Sequence, residues 1–227
     1  MEALQEAGAD VIEVGIPFSD PIADGPVIQA SSYRALNAGA TRHGILRAIQ
    51  AAKLDVPVVL MGYFNTMLRP GLQPFAEEAK AAGVCATIVC DAIPEEAGEW
   101  VAVSRSLGLD TIFLAAPTST PARLDAVAAH STGFVYAVSR TGVTGAAATQ
   151  EDQTLRLVSD LKARTQTPVC VGFGISTPAQ VKSMAAVADG VVIGSSLVTL
   201  LHEKWEDGSG KSEVIDYVRS LKAATRG

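Results

Sequence analysis

Basic clusters, metal-spaced cysteines, long apolar runs and nucleotide-binding glycine fingerprints are all missing from this chain. Each absence removes a class of function. The 227 residues carry 18 Lys and Arg against 24 Asp and Glu, a net charge of −6. Without a basic cluster, neither nucleic acid nor an anionic membrane is the expected partner. The three cysteines, Cys85, Cys90 and Cys170, lie in apolar stretches without metal-ligand spacing. They read as free thiols in a reducing compartment. His43, His130 and His202 fall away from the ends of the apolar runs, so no His-based triad or metal site is expected. No GxGxxG follows any apolar run, which leaves no dinucleotide fingerprint. Nothing has the pattern of a signal peptide, and no apolar run reaches membrane-span length. A soluble, cytoplasmic protein is the expectation.

What is present is a cadence. With 48% hydrophobic and 19% charged residues, the chain has material for a full core, and one domain over residues 1–227 is expected. Short continuous apolar runs at 11–16, 57–61, 86–90, 111–115, 133–138, 168–172 and 190–193 read as strands. Helical patterns alternate with them over 1–8, 31–52, 74–82, 95–107, 121–129, 153–164 and 178–187, and the last helix runs from about 212 to 224. Such alternation predicts an α/β fold with a parallel sheet covered on both faces. Seven strand–helix cycles without a composition break favour a (β/α)8 TIM barrel over a doubly wound sheet, with the first strand missing from the count.

The chemistry-bearing residues cluster at the C-terminal ends of these strands, where a barrel gathers its active site. Glu13 sits inside the apolar run Val11–Ile16 and shares a face with Val11 and Gly15, since side chains alternate along a strand. It reads either as a catalytic acid or as a core carboxylate satisfied by hydrogen bonds. Asp20 and Asp24 follow in a Pro/Gly loop and, taken by themselves, read as turn-formers. Tyr136 lies in an apolar strand, where core filling is the ordinary use of an aromatic. Gly172-Phe-Gly174-Ile-Ser176 and Gly190-Val-Val-Ile-Gly194-Ser195-Ser196 close the last two strands. They read as a phosphate cradle built from backbone N–H groups, with Ser195 or Ser196 adding a hydroxyl, or as glycines serving tight turns.

Several stretches together resemble one family. Glu13-Val-Gly-Ile-Pro-Phe-Ser-Asp-Pro-Ile-Ala-Asp-Gly-Pro-Val-Ile-Gln29 is similar to the signature of the tryptophan synthase α subunit. The resemblance continues through Ala35–Gly39, Tyr63-Phe-Asn65, Ala116–Thr120, Gly133–Tyr136, Ser139–Gly145, Gly172–Ser176 and Ile193–Ser195. The segment Ile93–Trp100 looks most like the actinobacterial branch. The resemblance implies a lyase that cleaves indole-3-glycerol phosphate to indole and glyceraldehyde 3-phosphate by a retro-aldol reaction. It implies Glu13 as the proton-transferring acid/base and Asp24 as the group that holds the indole N–H. It further implies Tyr136 in the pocket wall, Thr144 in a loop that orders the catalytic groups, and Gly145, Gly174, Gly194 and Ser195 at the phosphate. Pro17, Asp20 and Asn65 would meet a β subunit in an α2β2 heterotetramer. Pyridoxal phosphate would belong only to that partner, with no cofactor here.

Physical chemistry agrees with this division. Protonating indole C3 places positive charge at nitrogen, which a carboxylate at Asp24 stabilises. A carboxyl at Glu13 in apolar surroundings has its pKa raised and keeps a proton near neutral pH. Two departures from the family pattern stand out. The family's leading helix and first strand have no counterpart here, an arrangement expected to expose sheet edges and weaken activity. Val89-Cys-Asp-Ala92 replaces the usual proline and leucine around the aspartate. Two other readings therefore accompany the lyase subunit: a free-standing lyase, or an impaired partner that only regulates the β subunit.

Overall fold

The computed structural model describes residues 1–138, 147–172, 174–205 and 208–226, the side chains of 147–150 excepted. Its contacts divide the chain into two compact units, Met1–Thr111 and Ile112–Gly227.

The first unit begins with α1 (Glu2–Glu6), β1 (Ile12–Gly15), α2 (Pro26–Asn37) and α3 (Arg42–Ala52). It continues through β2 (Val58–Gly62), α4 (Phe64–Leu68), α5 (Leu72–Ala81), β3 (Val84–Val89) and α6 (Gly98–Leu107) to β4 (Asp110–Ile112). These strands form one sheet in the order β1-β2-β3-β4. The β1–β2 and β2–β3 pairings are parallel, with Glu13 opposite Val59 and Leu60 opposite Thr87. Val58, Val59 and Leu60 are all buried, as a strand covered on both faces requires. Leu46, Ile49, Phe75 and Trp100 pack with Val58 and Leu60 in one cluster. The Phe75 and Trp100 rings lie 5.8 Å apart in a tilted pair, a favoured aromatic geometry.

The helical pattern over 31–52 resolves into two helices. Gly39 at φ +78 ends the first, and Ala40 N donates back to Ala35 O at 2.9 Å. The second starts where the Thr41 hydroxyl accepts from Gly44 N, an N-cap that satisfies an orphan donor. The strand read at 86–90 begins earlier, at Val84, because Gly83 at φ +93 turns the chain straight from α5 into the sheet. The run at 111–115 is interrupted at Phe113, whose N–H donates to the Ser131 hydroxyl at 3.2 Å.

The second unit holds β5 (Leu114–Ala115), α7 (Pro121–His130), β6 (Val135–Val138), α8 (Ala147–Lys162) and β7 (Val169–Gly172). α9 (Pro178–Ala185), β8 (Gly190–Val191), α10 (Ser195–Trp205) and α11 (Lys211–Ala224) complete it. Its sheet runs β5-β6-β7-β8, all parallel. Val135, Ala137, Val169 and Val171 are fully buried in its strands. The α/β class with parallel strands, expected from the cadence, is what the chain forms.

Trp100 is fully buried, and truncating such a residue removes transfer energy and leaves a cavity. Trp100→Ala is expected to destabilise the chain by about 3–5 kcal/mol, read as a lowered midpoint in chemical denaturation with an unchanged slope.

Candidate active site

In the first unit, β1 brings a carboxyl into the sheet and its following loop returns another. Glu13 is part-buried and pairs across to Val59 of β2. Burial alone lifts its carboxyl from 4.5 to about 7, because the charged form loses its water. Neutral pH therefore finds it protonated about half the time. A group in that state can both give and take a proton.

The loop after β1 is tied by its own backbone. Ile22 N donates to Asp20 O at 2.8 Å and Asp24 N to Pro21 O at 3.0 Å. The Gln29 side-chain amide reaches back from α2 to Asp24 O at 2.9 Å. This turn aims Asp24 at the end of β2, where the Tyr63 hydroxyl donates to Asp24 Oδ2 at 3.0 Å. The same hydroxyl accepts from Ala23 N at 2.9 Å, and the Tyr63 ring stacks on Phe18 at 4.9 Å. Burial raises the Asp24 carboxyl and the Tyr63 bond opposes that rise. The phenol itself is raised, chiefly by burial, so it serves as a donor. At the end of β3, Cys90 is pushed up to about 12, by burial first and then by Asp24, Asp91 and Glu13. Those charges therefore gather near one strand end.

Tyr63 was the residue that sequence reasoning left without a role. Its signal was present, an aromatic hydroxyl directly after the strand-ending Gly62. Asp20 and Asn65 are exposed and Pro17 is part-buried. Ile22 in the loop after β1, at 84% exposure, and Leu68 at the end of α4, at 48%, are apolar surface that the sequence reading does not single out. Asp91 accepts from Phe64 N at 2.7 Å, fixing the start of α4 beside Asn65.

In the second unit, Tyr136 is buried in β6, opposite Cys170 of β7 and Leu114 of β5. A Cβ on Gly172 would overlap the Tyr136 ring, with Cζ only 2.6 Å away. Glycine is required there because the tyrosine occupies the space. Gly174 takes φ +75, a conformation open to glycine. Gly194 and Ser195 are exposed at the start of α10, where the first helical N–H groups lack intrahelical acceptors and favour an anion. Ser196 turns away: its Oγ lies 2.8 Å from the Tyr217 hydroxyl, which leaves Ser195 as the exposed hydroxyl. Thr144 and Gly145 lie outside the described residues. Among the described residues, no group of three or more His, Cys, Asp or Glu is arranged to hold a metal.

A sequence model of the family described as tryptophan synthase alpha chain matches residues 1–226. The tryptophan synthase alpha chain of Desulfatibacillum aliphaticivorans is 44% identical over 229 residues, covering 100% of this chain and 86% of the relative. That of Geobacter sulfurreducens is 48% identical over 223 residues, covering 97% of this chain and 84% of the relative. Tryptophan synthase from M. tuberculosis in an open form superposes with a TM-score of 0.88 at 40% identity, over 99% of this chain and 84% of that one. The subunit alpha of Legionella pneumophila reaches 0.90 at 34% identity, over 100% of this chain and 85% of that one.

Removing the Tyr63 hydroxyl deletes the bond that lowers the Asp24 pKa. In Tyr63→Phe, the Asp24 carboxyl is expected to titrate at higher pH than in the parent, followed by carbon-13 NMR. An unmoved titration would contradict the geometry.

Proposed function

The chain belongs to the tryptophan synthase alpha chain family, and from that premise we propose how its residues divide the work. The protein is a carbon–carbon lyase of tryptophan biosynthesis that cleaves indole-3-glycerol phosphate into indole and glyceraldehyde 3-phosphate. The observation that carries the assignment of roles is the unequal treatment of two carboxyls near one strand end. Glu13 is lifted to about 7 by burial with no opposing contribution, whereas the rise at Asp24 is countered by the Tyr63 hydroxyl.

The roles follow from those states. Protonated Glu13 gives its proton to indole C3, and the ring becomes an indoleninium with positive charge at nitrogen. Asp24, ionised and hydrogen-bonded by Tyr63, accepts the indole N–H and stabilises that charge. The bond between C3 and the glycerol carbon then breaks, and its electron pair restores the aromatic ring. The adjacent hydroxyl becomes the aldehyde and returns a proton to Glu13. One proton is given and one recovered, so the reaction needs no cofactor in this subunit.

Tyr136 forms a wall of the pocket, and Gly174, Gly194 and Ser195 hold the phosphate through backbone N–H groups and a hydroxyl. The family likeness would give Thr144 the ordering of the catalytic groups and Gly145 a place at the phosphate; both lie outside the described residues. The family implies a β-subunit partner; Pro17, Asp20 and Asn65 form the docking surface in an α2β2 assembly, and pyridoxal phosphate belongs to the β subunit. The exposed Ile22 and Leu68 give that surface apolar area. The chain works as one domain in the cytoplasm, where a biosynthetic enzyme of this family would act; among the described residues no helix is long and apolar enough to cross a membrane.

Glu13→Gln is expected to lower indole formation at least about a hundredfold, the loss typical of a general acid, with the fold unchanged by circular dichroism. The parent's activity should fall as pH rises through about 7, where Glu13 loses its proton, and fall again in acid as Asp24 is protonated. If the variant keeps both activity and this alkaline limb, another group carries the proton.

A further inference from the structure

One tyrosine on α11 touches both loops assigned to the phosphate. The Tyr217 hydroxyl lies 2.9 Å from Ser176 O and 2.8 Å from Ser196 Oγ. Ser176 follows the Gly174 turn after β7, and Ser196 follows Gly194 and Ser195 in the first turn of α10. The Ser196 Oγ is itself 3.5 Å from Ile175 O, a second crossing from one loop to the other. On its far side the first loop is pinned again, since Ser176 N and Thr177 N both donate to Gln180 Oε1, at 3.0 and 3.1 Å. Thr177 and Gln180 form the capping box that starts α9, a rigid N-terminal motif.

These loops border open space. A cavity of about 230 Å³ opens beside them, lined by Ser176, Ser196, Thr199, Leu200, Glu203 and Tyr217. Directional hydrogen bonds constrain the distance between segments that border such a space. We propose that Tyr217 is a positioning residue, whose hydroxyl holds the Gly174–Ser176 and Gly194–Ser196 loops at the separation a phosphate monoester requires. It acts on the ligand only through those loops. The inference rests on the reading of Gly174, Gly194 and Ser195 as the phosphate site.

The test is steady-state kinetics of the full chain, with indole release from indole-3-glycerol phosphate and glycerol 3-phosphate as a competitive probe. Tyr217→Phe keeps the ring and removes the bridge. It is expected to raise KM and the inhibition constant of the probe together by about fivefold, the scale of one lost hydrogen bond, with kcat within about twofold, since binding alone is affected. Ser195→Ala serves as the control at the phosphate itself and should also weaken the probe. If Ser195→Ala weakens it and Tyr217→Phe does not, the clamp is refuted while the phosphate reading stands. If neither variant moves the inhibition constant, the phosphate reading falls and the clamp with it. A loss of kcat and thermal stability at unchanged KM would reduce Tyr217 to a structural role and overturn the proposal.

Discussion

A parallel strand excludes charge, yet β1 carries Glu13 among Ile12, Val14 and the Val59 neighbour on β2. The rest of the candidate site answers to that conflict. Desolvation moves the carboxyl from 4.5 to about 7, which corresponds to roughly 3 kcal/mol against the ionised form. The folded state binds the proton more tightly than the unfolded chain does. This group therefore weighs least on stability below 4.5 and progressively more as pH rises to about 7, beyond which its full cost is present. The fold tolerates the cost because its strands bury a large apolar surface on both faces. In return it holds a carboxyl poised to exchange protons at neutral pH.

Tyrosine hydroxyls then place the parts that glycine-rich loops leave free. Tyr63 joins the end of β2 to Asp24 and opposes the rise that burial gives the second carboxyl. Tyr136 fills the space that Gly172 leaves open on the neighbouring strand. Tyr217 spans the loops after β7 and β8. A phenol suits this work: its ring is rigid and apolar, and only its tip needs a polar partner. The glycines let the backbone approach closely, and the tyrosines keep the approach fixed.

The strand cadence and the isolated Glu13 were legible because burial on both faces demands continuous apolar runs, and a carboxylate inside one stands out. The raised pKa followed from the same argument. Long-range partners were not legible. Nothing in the spacing of Asp24 and Tyr63 foretells a bond across 39 positions. Local apolarity also hid the interruption at Phe113, since it depends on a serine hydroxyl 18 positions away. Apart from the family resemblance, which points to Ser195, spacing alone did not separate Ser195 from Ser196; α11 supplies Tyr217 as a partner for the latter. Helix ends set by glycine, as at Gly39, were readable in kind but missed within a longer periodic stretch.

Burial, acting on one strand residue, keeps a carboxylic acid protonated near neutrality. Infrared spectroscopy of the chain carrying carbon-13-labelled glutamate, with Glu13→Gln as the difference reference, follows the protonated carboxyl band of Glu13 directly. The account predicts that the band persists well above the ordinary carboxylate range and titrates away at about pH 7. A band that vanishes near 4.5, the value of an unperturbed glutamate, would contradict it.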